Sequence, residues 1–165
     1  MWIKSLYLDG YTLTMDSTFK FISHRGNVFG KNEEQENSPK YIYKALEMGY
    51  DCEVDVWLLG DQLYLGHDTA QFPIELKFLK NNKLWCHAKN IEALELMIQF
   101  RDIHSFWHQE DSYTLTSNGY IWAYPGKALS GKSICVMPEL STNDEWMYQS
   151  HCGICSDQIH VYKNE

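Results

Sequence analysis

Apolar and polar positions alternate with a period of two in most ordered-looking stretches of this chain, and a helical period shows in only two places. The opening "WIKSLYLDGYTLTM" predicts a hairpin turning at Asp9-Gly10, though residues 1–18 read equally as a leader. Residues 20–24 form the next expected strand. Ser38-Pro39 then starts a helix, with Ser38 as N-cap, Ile42, Ala45 and Leu46 on the apolar side and Gly49 as the stop. "DCEVDVWLL" is a strand that turns at Gly60-Asp61 into "QLYLG", and "KLWCHA" is another. Asn90 caps the most regular helical stretch, "IEALELMIQF". Shorter strands are expected at 103–108, 119–123, 133–137 and 153–155.

Strand–helix–strand order with right-handed crossovers implies a parallel sheet covered by helices. The expectation is one α/β domain over residues 1–165, a compact TIM-barrel-like (β/α) barrel behind the short N-terminal hairpin or leader. A full barrel of this kind takes about 250 residues. With 165 residues, several helices must shrink to turns, above all after residue 110.

Composition narrows the function classes. A formal charge of -8 argues against nucleic-acid binding, which needs basic stripes to displace counterions. No run approaches the ~18 apolar residues of a membrane span. The opening residues lack a secretion signal's basic region, apolar core and cleavage site. Five cysteines without framework spacing fit reduced, mostly buried thiols, so the expected location is the cytoplasm. Cys152-Gly-Ile-Cys155 has the spacing of half a zinc site or of a redox pair, but no second pair accompanies it and it falls in an expected strand, not at a helix start.

The chemistry collects where strands end. In "DCEVDVW", Cys52, Val54 and Val56 share one face, while Asp51, Glu53, Asp55 and Trp57 share the other. Neighbouring inward carboxylates repel one another and lose solvation, a conflict that a divalent cation resolves. An exposed edge strand with a solvated acidic face is the competing reading. In the next expected parallel strand Trp85, His87 and Lys89 share a face. A lone histidine in such a strand is commonly a hydrogen-bonded core residue, but an inward lysine calls for an anion.

The ordered set "HRG" at 24–26, "EN" at 36–37, "EVD" at 53–55 and "HD" at 67–68 resembles the N-terminal signature of the glycerophosphodiester phosphodiesterase family, within the phospholipase-C-like phosphodiesterases. The resemblance covers roughly the first half of the chain. It implies that His24 and His67 form an acid–base pair, that Arg25 and Lys89 bind phosphate, and that Glu53 and Asp55 hold a divalent metal, with Glu36 in support. The family's Glu-x-Lys on the third strand is "HAK" here, so His87 takes the place of a carboxylate ligand. The resemblance implies Mg²⁺ or Ca²⁺, and the imidazole makes Mn²⁺ or Zn²⁺ admissible. His108, Glu110, Tyr124, Glu139 and Asp157 end later strands and are candidates for support or specificity.

The implied function is metal-assisted cleavage of a small, soluble phosphodiester, by water or by a neighbouring substrate hydroxyl that would give a cyclic phosphate. Two alternatives stay open at this level. One is a degenerate barrel that only binds a phosphorylated ligand, and the other is a metal-independent lyase using the histidine pair.

Overall fold

A computed structural model of the protein describes residues 6–8, 11–13, 19–142 and 144–163. Strands β1 (Leu6–Leu8) and β2 (Tyr11–Leu13) pair antiparallel as a separate two-stranded unit, and the expected turn at Asp9-Gly10 lies outside the described residues. The main body then runs β3 (Lys20–His24), α1 (Pro39–Glu47), β4 (Asp51–Leu59), β5 (Gln62–Leu65), β6 (Phe72–Ile74), α2 (Leu76–Leu79), β7 (Leu84–Ala88) and α3 (Ile91–Met97). It continues through β8 (Ser105–Trp107), β9 (Tyr113–Leu115), β10 (Ile121–Ala123), β11 (Ser133–Val136), β12 (Gly153–Ser156) and α4 (His160–Lys163).

These strands make one mixed, ten-stranded sheet. Its parallel part runs β8-β7-β4-β3-β12-β11-β10. Antiparallel β5 and β6 extend β4, and antiparallel β9 covers β10. The sheet curls into a half-barrel. No strand ladder joins β8 to the β9–β10 arm among the described residues, where Ser117 N–H donates to Ser105 O at 2.8 Å instead.

This corrects the expected TIM-barrel-like (β/α) barrel. Only four short α-helices occur among the described residues, and between Met97 and α4 there are only two single 3-10 turns, Pro138–Leu140 and Glu145–Tyr148. A helix-bearing crossover needs a dozen or more residues. Residues 108–120 spend their length on β9 and its turn, and residues 124–132 pass from β10 to parallel β11 without a helix. What remains is a strand-dominated sheet, covered by helices only over its first half. No helix among the described residues is long and apolar enough to cross a membrane.

Local sequence accounts for the helices that do form. Pro39 pre-sets the first turn of α1, and Ser38 holds the N-cap position with extended backbone but no side-chain cap bond. Asn90 Oδ1 accepts the Ala93 N–H at 3.2 Å and the Leu58 N–H at 3.1 Å, tying the start of α3 to the end of β4. Both helices cover the outer face of the sheet. There Ile42, Ala93 and Met97 pack with Cys52, Val54, Val56 and Cys86.

The inner face carries a second cluster, in which Ile22, Trp85, Phe106, Trp122, Ile134 and Cys155 fill the base of the half-barrel. Burying each large apolar side chain contributes roughly 1.5–3 kcal/mol. Packed below the strand ends, they give the polar residues above a rigid floor.

Candidate functional site

Parallel register brings the strand-end residues together. His24 pairs with Glu53 across β3 and β4, and Asp55 pairs with His87 across β4 and β7. Because side chains alternate, Glu53 and Asp55 both point to the inner face, where they are 2% and 0% exposed.

His87 is held at both nitrogens. Its Nε2 lies 2.8 Å from the backbone oxygen of His108, which can only accept, so Nε2 carries a proton. Its Nδ1 faces Asp55 Oδ1 at 3.1 Å and Glu53 Oε1 at 3.7 Å. The ring stacks on Phe106 with centroids 5.1 Å apart, which fixes its plane. Burial opposes an imidazolium here, but hydrogen bonding to Asp55 and Glu53 overcomes it and pushes the His87 pKa up to about 9.

Asp55 gathers the cations. Arg25 Nε lies 3.0 Å from its Oδ2, and Lys89 Nζ lies 3.4 Å from its Oδ1. Burial would raise its pKa, yet His87, Arg25 and Lys89 together hold it well below the usual carboxylate range. Asn37 brackets it further, donating from Nδ2 to Oδ2 at 2.9 Å and accepting the Asp55 N–H at 2.9 Å. Arg25 Nη1 also donates to Glu36 Oε2 at 3.1 Å.

The backbone is bent to achieve this. Arg25 sits at φ +54° and Asn37 at φ +62°, left-handed conformations that cost a non-glycine residue stability and are tolerated where surrounding contacts demand them. Gly26, at φ +89°, lies where a Cβ would come within 2.8 Å of the Tyr41 ring, so the sequence needs glycine there.

Each histidine of the expected acid–base pair has a carboxylate on Nδ1. His24 Nδ1 is 2.8 Å from Asp157 Oδ1, and His67 Nδ1 is 2.7 Å from Asp68 Oδ1. Burial acts against the charged form of His24, but Asp157 and Glu53 raise its pKa overall. The same contact lowers the Asp157 pKa against the effect of its own burial. Asn27 Nδ2 donates to both Asp157 Oδ1 and Glu36 Oε1 at 2.8 Å, linking the two ends of the polar network. Glu139 stands behind it, its Oε1 accepting from Ser156 Oγ at 2.7 Å and from the Asp157 N–H at 3.0 Å. Gly66 places His67, since a Cβ there would fall 2.0 Å from the Thr69 carbonyl oxygen.

Glu53, Asp55 and His87 could hold a divalent cation. Glu36, Glu53, Asp55 and Asp157, with Glu139 behind them, outnumber the cations Arg25 and Lys89. Protonating His24 and His87, or binding a dication, would offset part of that excess. One ligand atom from each of Glu53, Asp55 and His87 lies within 4.8 Å of the others. Asp55 Oδ1 is buried without a hydrogen bond of good geometry, despite its cationic neighbours. With Nε2 on the His108 carbonyl, Nδ1 is the nitrogen that a metal could take once its proton is displaced, and a backbone carbonyl on the other ring nitrogen is the usual support for a ligating imidazole.

Above this floor opens a cleft of about 380 Å³, the size of a small-ligand site. His24, Arg25, Glu53, His67, His87, Lys89, His108 and Tyr124 line it. Asp55, Glu36, Asp157 and Glu139 stand behind that lining and position it. Glu110 does not join them: it is exposed and outside the cleft lining, which ends at Gln109 on this segment. Sequence reasoning gave no role to Asn27, which bridges Glu36 and Asp157, or to Asn37, which brackets Asp55. Nor did it give one to Met137, which enters the cleft from a left-handed position at φ +45°. The Asn37 signal was present in the "EN" pair. All five cysteines are free, and burial raises the Cys52, Cys86, Cys135 and Cys155 thiols away from reactivity.

Compared with family models, curated proteins and solved structures, the chain matches none.

Proposed function

We propose that the cleft cleaves a small phosphodiester, with His24 and His67 exchanging protons and Arg25 and Lys89 meeting the phosphoryl oxygens. This is the activity implied by the resemblance to glycerophosphodiester phosphodiesterases. The observation that carries it is the presence on one cleft of two imidazoles, each engaged at Nδ1 by a carboxylate, beside two cations.

An Nδ1–H held by a carboxylate leaves Nε2 as the site of proton exchange and stabilises the imidazolium that forms. One imidazole takes the proton of the attacking water or substrate hydroxyl, and the other returns a proton to the departing alkoxide. General acid–base catalysis of this type contributes about 10²–10⁴-fold per group. Asp157 and Asn27 keep His24 in place, and Glu36 and Asp55 hold Arg25 at the cleft wall. Glu53, Asp55 and His87 would hold the divalent ion, which supplies Lewis-acid stabilisation of charge developing on phosphoryl oxygen.

A metal-independent lyase is the second reading, favoured by the direct approach of Arg25 and Lys89 to Asp55. Turnover of a chromogenic diester, measured as purified, after EDTA and after adding back Mn²⁺ or Mg²⁺, separates the two. Loss and restoration support metal assistance, undiminished turnover in EDTA supports the lyase, and no turnover under any condition removes both.

A further inference from the structure

The cleft has two unlike walls. Four adjacent strands, β7, β4, β3 and β12, supply its ionic side through His87, Lys89, Glu53, His24, Arg25 and the supporting Asp157. The other side comes from the flanks of the sheet: Trp107 at the end of β8 and His108 after it, Tyr124 and Pro125 after β10, Met137 and Leu140 after β11. None of these six carries a carboxylate, ammonium or guanidinium group.

Three features set this wall apart from ordinary core. Tyr124 is 47% exposed and Leu140 is 65% exposed, so large apolar surface stands open at the cleft mouth. His108 and Tyr124 bring ring centroids within 5.6 Å, which joins the wall across the open seam of the half-barrel. Met137 reaches the cleft from a strained left-handed backbone, and strain of this kind collects at ligand sites.

Resting on the reading of the cleft as a phosphodiester site, we propose that this wall is a specificity subsite for one arm of the diester, and that the arm is uncharged and ring-bearing. The ionic wall fixes the phosphate, so a substituent on it extends across the cleft onto the six residues. A volume of about 380 Å³ takes a phosphate with a single ring. An aryl or similar planar alcohol matches a wall of indole, phenol, proline, thioether and isobutyl groups.

Product-like monoesters test this by calorimetric titration, with and without Mn²⁺: phenyl phosphate, methyl phosphate, phosphocholine and inorganic phosphate. Phenyl phosphate is expected to bind about tenfold more tightly than methyl phosphate, the gain for burying most of a ring. Tyr124→Ala and Leu140→Ala change exposed side chains, and each should reduce that advantage at least about threefold while leaving inorganic phosphate affinity unchanged. Lys89→Ala should weaken all four ligands together. Equal binding of phenyl and methyl phosphate, with phosphate affinity still dependent on Lys89, overturns the subsite and leaves the phosphodiester reading standing. Tightest binding of phosphocholine overturns it in favour of a cation-binding wall. A ring advantage untouched by both alanine variants places the ring elsewhere and overturns it as well. Absence of phosphate binding under every condition overturns the phosphodiester reading, and the subsite with it.

Discussion

His24 and Asp157 lie 133 positions apart in the chain and meet at 2.8 Å, one at the end of β3 and the other just past β12. The pairing of those two strands makes the contact, so closing that part of the sheet also completes the site. Asp157→Asn keeps the shape but removes the charge that holds His24 in its working tautomer. Turnover of a chromogenic diester should fall about 10²-fold or more, in line with the loss of one acid–base group. Because Asp157 raises the His24 pKa, the limb of the pH–rate profile governed by His24 should move to lower pH in the variant. An unshifted profile would mean that Asp157 supports only the fold.

Asp55→Asn removes the carboxylate that Arg25, Lys89 and His87 all approach. Two or three buried cations then lose a partner, and breaking such a network costs about 3–5 kcal/mol. The expected result is a lower melting temperature together with loss of Mn²⁺ binding by calorimetry. The metal-binding part fails if variant and wild type bind Mn²⁺ equally.

His87→Glu tests the ion directly. The change discards the bond to the His108 carbonyl and sets a third carboxylate beside Glu53 and Asp55. In EDTA the variant should melt well below wild type, because like charges in that space are costly. Mg²⁺ or Ca²⁺ should restore most of the difference, since a three-carboxylate site suits hard cations. A melting temperature that stays low at all metal concentrations would make His87 a structural residue.

The alternation in "DCEVDVW" was sufficient to place Glu53 and Asp55 inside and Cys52, Val54 and Val56 outside, because side-chain direction in a strand is local. Likewise the caps at Pro39 and Asn90 located both longer helices. Closure was not local. Whether residues 108–152 form helices or antiparallel additions depends on long-range pairing, and β6 and β9 are too short and mixed to stand out by period. The same limit hid the neutralisation of Asp55: sequence shows two adjacent carboxylates in conflict, while the fold brings Arg25 and Lys89 onto them. Asp157 was readable as a strand-end carboxylate but not as the partner of His24, since nothing in the sequence states that β12 lies beside β3.

His104 gives a pH signature independent of the cleft. It is 6% exposed, its ring tilted against Trp85 at 4.2 Å between centroids, with Nε2 2.8 Å from Thr116 Oγ1. Burial, helped by Lys20, lowers its pKa to about 4. Its folded pKa is below the unfolded value of about 6.5, so its contribution is complete above that pH and is lost as pH falls toward 4. Over that window, wild type should lose on the order of 3 kcal/mol that His104→Phe does not lose. Urea unfolding of both proteins at pH 7 and pH 4 checks this, and parallel losses would show that His104 is not the group responsible.

The central claim, that His24 and His67 act together on a phosphodiester, is tested most directly by a double-mutant cycle on bis(p-nitrophenyl) phosphate. Wild type, His24→Asn, His67→Asn and the double variant are compared at saturating Mn²⁺, with circular dichroism to confirm folding. Wild type should turn over, each single variant should lose about 10²–10⁴-fold, and the double variant should lose little more than the worse single. A wild type without measurable turnover, or single variants as active as wild type, would contradict the account.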